Sequence, residues 1–339
     1  MTFTFGGPLA DKGSGPQFAP AAEVLDDYVA LAEAAERAGF NLWTPYWHPL
    51  ENTGPFPEWW MWLLGAAATT SRLRLGTLVL SPTFNNPVRV AEQFATVDQL
   101  SGGRLDLGLG AGSGHNEYAA FGFDYPEKKE RFARLAESVR IFREEWTGTT
   151  KSFSGEYYTV NDAYFYPRPE QPPVPLIAAG GPTVAKRAGR IGDGFLCTSG
   201  KGMDEYREKL LTAHAEAGAA GQRPDALRRR VGIKLNPYEV DEKAALEETG
   251  IDAWLPLFAD QKPSVVGPRE MPVDARDLPR REALRRWIAS STPDLIAELI
   301  KPHVDAGLFH LVFAAPGHDQ DRFLELFDED VAQYARSLG

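Results

Sequence analysis

The sequence predicts a single (β/α)8 TIM barrel, an α/β fold, spanning residues 1–339. Two observations carry this. Short β-branched or leucine-rich runs alternate with amphipathic helical stretches from end to end, and eight such runs are found. The doubly wound alternative lacks its fingerprint, because Gly108, Gly110, Gly112 and Gly114 recur at every second position and Ser113 stands where a dinucleotide motif needs its third glycine.

The candidate strands are Thr2 to Gly6, Leu42 to Pro45, Leu73 to Leu80, Leu105 to Leu109, Leu176 to Ala179, Gly194 to Cys197, Arg230 to Leu235 and Phe309 to Phe313. Helix Ala21 to Ala38 carries Val24, Tyr28, Leu31 and Ala35 on one face, and helix Pro87 to Leu100 carries Val90, Phe94 and Val97. Further helices are predicted at Lys128 to Thr147, Pro182 to Ile191, Met203 to Ala219, Pro293 to Ala306 and Gln320 to Arg336. Residues 151–175 form an insertion, in which Phe153 to Tyr158 predicts a hairpin and the proline-rich continuation an extended connector. A second insertion, 255–278, has weak periodicity and the length of a lid.

Composition narrows the function. Hydrophobic residues at 43% and charged residues at 24% describe a globular chain. A net charge of −11 disfavours nucleic acid or an anionic membrane across a broad face, so an anionic ligand has to meet a local basic cluster. Cys197 is the sole cysteine, which excludes an intrachain disulfide and points to a reducing, cytoplasmic compartment; it is expected to pack the end of its strand. The longest apolar run, Trp59 to Ala68, is about half of a membrane span, and no signal pattern opens the chain. No metal site is expected. Trp43, Trp47, Trp59, Trp60 and Trp62 are assigned to core or dimer surface, Asp98 and Arg104 to a structural ion pair across a turn, and Arg228 to Arg230 to a solvated edge.

The most informative stretch runs from Gly180-Gly181-Pro182 to Lys201-Gly202. Two glycines ahead of a helix leave backbone N–H groups aimed beyond a strand end, the arrangement that holds phosphates without a side chain, and Lys201 one strand later can hold a second anion. This combination predicts a flavin- or deazaflavin-type barrel oxidoreductase acting on a substrate with a negative group. His48 follows a candidate strand among aromatics, so its imidazole can abstract an alcohol proton while hydride leaves. The alternative is a hydrogen-bonded loop histidine. His115, beside Ser113 on the glycine-rich loop, is a second candidate for proton transfer.

The string Asp98-Gln-Leu-Ser-Gly-Gly-Arg-Leu-Asp-Leu-Gly-Leu-Gly-Ala-Gly112, followed by Asn116-Glu117 and Glu130-Arg131-Phe132, resembles the bacterial luciferase-like barrel family, whose members use FMN or the deazaflavin coenzyme F420. Ala178 to Pro182, Ile191 to Gly202, and Leu311 to Gln320 with Arg322 to Phe327 resemble its F420-dependent glucose-6-phosphate dehydrogenase branch. The resemblance implies that Thr198, Lys201, Lys262 and Arg286 bind a sugar phosphate, that His48 is the catalytic base, and that Asn116, Ala179, Gly180 and Gly181 contact the coenzyme. It also implies that Leu78-Val79 is a bulged strand end pressed against the deazaflavin ring. Gly110 is expected to let backbone approach the coenzyme, and Trp47 to narrow the pocket beside the ring. Departures fall in the chemistry: Pro16 and Ser113 replace family glutamates, Asn52 a tryptophan and Trp47 an aspartate. Proton traffic is therefore expected to be simpler or to use His115. The family implies a homodimer. Two other functions stay open at this point, an FMN-dependent monooxygenase and a cofactor-binding protein without turnover.

Overall fold

The computed structural model describes residues 2–5, 21–40, 42–43, 59–112, 115–147, 151–198, 202–221, 231–234, 293–308, 310–313, 324–325 and 327. In chain order the elements are β1 (Thr2–Phe5), α1 (Ala21–Arg37), β2 (Leu42–Trp43), α2 (Trp59–Thr69), β3 (Arg74–Gly76), α3 (Pro87–Ser101), β4 (Leu105–Leu109), α4 (His115–Ala120) and α5 (Lys128–Glu145). They continue as β5 (Lys151–Ser154), β6 (Thr159–Ala163), β7 (Val174–Ala178), α6 (Pro182–Ile191), β8 (Gly194–Thr198), α7 (Met203–Ala219), β9 (Val231–Lys234), α8 (Pro293–Asp305) and β10 (His310–Phe313).

The strands β1, β2, β3, β4, β7, β8, β9 and β10 are all parallel and close into a barrel, in which β10 returns to β1 with Thr2 opposite His310. Each coincides with a run that the sequence predicts as a strand. The hairpin β5–β6 stands apart as an antiparallel pair, as predicted for the first insertion. It is pinned by Glu137 of α5, whose carboxylate accepts the amides of Glu156, Tyr157 and Tyr158 at 2.7–3.1 Å. The second insertion lies outside the described residues. So does most of the predicted helix 320–336, of which Leu324 and Glu325 are helical.

Among the described residues, two α-helices were not predicted. Helix α2 reads Trp-Trp-Met-Trp-Leu-Leu-Gly-Ala-Ala-Ala-Thr and is apolar all round, so it shows no 3.6-residue alternation. Trp60, Trp62, Leu63, Ala66 and Ala67 are buried against its neighbours. Helix α4 has six residues, too few for a periodic signal.

Outward-facing strand residues such as Leu75, Leu107, Ile177, Phe195 and Leu311 meet Leu31, Leu63, Phe94, Phe142 and Ile300 from the helices in one hydrophobic core. Cys197 is 3% exposed within it, and burial pushes its thiol up to about 12, which makes it a packing residue as expected.

The N-terminal end of the strands is held by buried polar groups. Asp98 and Arg104 do not form the expected ion pair. Arg104 donates to the carbonyls of Ala67, Thr70, Leu73 and Ser101, closing the C-terminus of α2 and the turn after α3. Asp98 is 1% exposed and accepts the amide of Glu170 at 3.1 Å, tying α3 to the connector before β7. The pairing fails because carbonyls from the last turn of α2, the stretch before β3 and the end of α3 converge on the guanidinium, whose fork of donors satisfies them together.

Candidate active site

At the opposite, C-terminal end, β3 stops at Gly76 and pairing resumes at Leu80, opposite Leu109. The Leu80 amide donates to Gly108 O at 2.9 Å, and the Gly110 amide to Leu80 O at 2.8 Å. Between these points the chain bulges through a cis Leu78–Val79 peptide, so the expected bulge is present. A Cβ at Gly108 would stand 1.8 Å from Thr77 O, and one at Gly110 2.8 Å from Val79 Cγ2. These two alternating glycines are therefore the seat of the bulge: any side chain there would push it out of the barrel wall. Val79 is 37% exposed, an apolar side chain held out beyond the strand end.

Beyond β4, Gly112 has φ +73, a left-handed conformation that an L side chain rarely adopts, and turns the chain toward α4. His115 and Asn116 are the first two residues of that helix.

Across the same end, β7 runs into Ala179, Gly180 and Gly181. The Ala179 methyl lies in the core and its amide donates to Leu196 O at 2.7 Å, so its backbone carbonyl, not its side chain, is what it can offer a ligand. Gly181 caps α6 in extended conformation with no side-chain cap, and Pro182 follows. Neither glycine has a positive φ, and among the described residues no atom lies within 4 Å of a Cβ built on either. Among the described residues, neither packing nor backbone conformation requires glycine at these positions. The space they leave lies over the N-terminus of α6, whose first turn carries no carboxylate. Helix α7 also starts without a side-chain cap, but Asp204 and Glu205 fill its first turn. Of the two neighbouring helix starts, only that of α6 favours an anion. An uncapped helix start, open glycines and an exposed apolar bulge fit a phosphate-bearing coenzyme with a flat ring.

Leu78, Val79, Gly110, His115 and Asn116 thus gather on the β3–β4 side of the mouth, and Ala179, Gly180, Gly181 and Thr198 on the adjoining β7–β8 side. Thr198 ends β8 with its Cα opposite that of Lys234, a register position that sequence patterning did not single out. Trp47, His48, Ser113, Lys201, Lys262 and Arg286 lie outside the described residues. His310 belongs to the other end of the barrel. It is the first residue of β10, and burial pushes its imidazole down to about 4, so it is neutral near pH 7.

Comparison with known proteins agrees with this geometry. Residues 1–310 match the model of the luciferase-like monooxygenase family. The chain is 46% identical over 333 residues to an F420-dependent glucose-6-phosphate dehydrogenase of Amycolatopsis mediterranei, covering 97% of this chain and 98% of the relative. A protein of the same name from Rhodococcus erythropolis is 47% identical over 339 residues, covering 98% of each. The solved structure of an F420-dependent secondary alcohol dehydrogenase superposes with a TM-score of 0.84 at 22% identity over 99% of this chain and all of the other, and so shares the fold. The chain belongs to the luciferase-like monooxygenase family, in the branch formed by the F420-dependent glucose-6-phosphate dehydrogenases.

Proposed function

We propose that this protein is an F420-dependent oxidoreductase that transfers hydride between the coenzyme and glucose 6-phosphate or a closely related anionic sugar. The observation that carries this is the open Gly180–Gly181 step over the α6 N-terminus, on the same barrel end as the exposed Leu78–Val79 bulge. Relatives of 46–47% identity along nearly the full length carry that activity in their names.

Backbone amides at the start of α6 hold the coenzyme's phosphate, Asn116 and Gly110 contact it from the β4 side, and Val79 supports one face of the ring. Bound there, F420 supplies the ring carbon that accepts or returns hydride. His48 takes the hydroxyl proton of the substrate alcohol as hydride leaves its carbon, and gives it back in the reverse direction. With Pro16 and Ser113 in place of family glutamates, His115 serves as the second proton-handling group. Thr198, Lys201, Lys262 and Arg286 clamp the substrate phosphate, so binding energy remote from the reacting carbon orients it, and Trp47 narrows the space beside the ring.

The whole chain works as one barrel domain in the cytoplasm. The single buried thiol supports this, and among the described residues no helix is long and apolar enough to cross a membrane. A homodimer is supported by exposed Met61 on α2 and Leu100 on α3.

An anaerobic absorbance assay tests the proposal, with oxidised F420 and FMN offered separately alongside a panel of sugar phosphates. The expected result is bleaching of F420 by glucose 6-phosphate, with Lys201→Ala or Arg286→Ala raising the sugar-phosphate KM far more than the coenzyme Kd. Oxygen-dependent turnover with reduced FMN, and none with F420, would make it a monooxygenase instead.

A further inference from the structure

We propose that Arg131 and Tyr118 are positioning residues for hydride transfer, fixing the Ala111–Gly112 turn and helix α4 against the stretch that follows the Leu78–Val79 bulge. This rests on the coenzyme assignment above and adds residues to that site. Three segments converge on the turn. From α5, Arg131 is 8% exposed and donates through Nε to Gly112 O at 2.9 Å and through Nη1 to Pro126 O at 2.5 Å. Its guanidinium carbon lies 4.2 Å from the centre of the Tyr125 ring, which meets Tyr118 edge-on at 5.2 Å. From α4, the Tyr118 hydroxyl bonds Thr83 Oγ1 and reaches Ala111 O at 3.4 Å. From the stretch that follows the bulge, Thr83 Oγ1 lies 3.3 Å from Ala111 O and 2.9 Å from Ser81 Oγ. A Cβ at Gly112 would stand 2.7 Å from Ser81 Oγ and 2.8 Å from the Tyr118 hydroxyl.

The network joins the chain leaving the bulge to α4, which begins with His115 and Asn116, the two sides between which the coenzyme ring is proposed to sit. Its composition argues for placement over bulk stability. Among the described residues, Arg131's polar partners are carbonyl oxygens; the adjacent Glu130 carboxylate instead takes Arg134 at 2.7 Å. A buried guanidinium without a carboxylate carries a desolvation cost that an apolar hub would avoid, whereas directed hydrogen bonds hold a turn to one position. Misplacement of a reacting group by about 1 Å costs about a hundredfold in rate, so a loop at this place has reason to be fixed.

The test compares Tyr118→Phe and Arg131→Lys with Glu36→Gln in the F420 and glucose 6-phosphate assay; the Glu36 carboxylate accepts the amides of Ser71, Arg72 and Leu73 at the far end of the barrel. Coenzyme Kd, kcat, sugar-phosphate KM and Tm are measured for each. The expected result is a fall in kcat of about tenfold or more for the two mouth variants with KM unchanged within about twofold, while Glu36→Gln lowers Tm and leaves kcat alone. Tyr118→Phe removes one oxygen from a buried ring and carries the test if Arg131→Lys does not fold. Mouth variants that melt lower but keep kcat, or in which KM rises in step with the loss of rate, would overturn the proposal alone. A wild type that fails to reduce F420 would overturn the coenzyme assignment, and this proposal with it, before any variant is compared.

Discussion

At the N-terminal end of the barrel strands, polar side chains are consumed by the protein itself, while at the C-terminal end the backbone is left open. Glu36 accepts the amides of Ser71, Arg72 and Leu73, and although burial raises its carboxyl, these donors hold it below the usual carboxylate range. Arg74 forks onto Asp106 with both oxygens at 2.7 Å, and Arg104 spans the end of α2. At the other end α6 starts without a side-chain cap, a Cβ built on Gly180 or Gly181 meets no atom of the described residues within 4 Å, and Val79 stands exposed. The difference separates an end whose polar groups are satisfied within the fold from the end proposed to meet the coenzyme, and it yields variants whose effects on stability and binding should separate.

The largest stability effect is expected from Arg104→Ala. It leaves the carbonyls of Ala67, Thr70, Leu73 and Ser101 without their donor, at a cost of about 3 kcal/mol or more. Urea denaturation measures the loss, while the folded fraction keeps its F420 affinity. A variant of normal stability with weakened coenzyme binding would break the division between the two ends.

Asp98 sharpens the same contrast through pH. Burial raises its carboxyl from 3.8 to about 6, against the opposing amides of Glu170 and Leu105. A folded-state value above the unfolded one means that the protonated form is favoured on folding. The resulting stability is present below about pH 4 and is lost as pH rises through about 6, a change on the order of 3 kcal/mol. Asp98→Asn keeps an acceptor for the Glu170 amide and should flatten that stretch of the stability–pH profile. An unchanged slope would show that Asp98 ionises normally in the folded protein.

A smaller loss is expected from Gly112→Ala, which forces a left-handed L residue against Ser81 Oγ, at about 1–2 kcal/mol. Because this turn is on the mouth side, kcat should fall along with Tm, whereas the variants at the far end should lower Tm alone.

Much of the barrel was legible in the sequence because each strand is a short apolar run between helices of clear periodicity, and the Phe153 to Tyr158 hairpin announced itself by its turn residues. Helix α2 was not legible as a helix, since a segment of apolar residues all round has no polar face to mark its period. The Asp98-to-Gly112 string shows a different limit. Its residues pointed to the family, but proximity in sequence did not reveal that Asp98 and Arg104 serve separate partners, or that Gly108 and Gly110 seat a bulge from the neighbouring strand. Those contacts are long-range, made by carbonyls and amides that every residue possesses. At the mouth, the Gly180-Gly181 step before a helix was readable because chain order alone places two glycines ahead of α6, the arrangement on which the proposed anion site rests. Arg131 and Tyr118 were not, because only the fold brings α4, α5 and the Ser81–Thr83 stretch to one turn.

Gly181→Ser tests the central contrast most directly. The substitution fits the extended N-cap backbone, its Cβ meets no atom of the described residues within 4 Å, and it supplies an oxygen that can accept a first-turn amide of α6 in place of a ligand. Denaturation and F420 titration on the same preparation should show stability unchanged or raised by a few tenths of a kcal/mol, with coenzyme affinity lowered about tenfold or more. Lowered stability with full F420 affinity would mean that Gly181 serves the fold and that the coenzyme phosphate is held elsewhere.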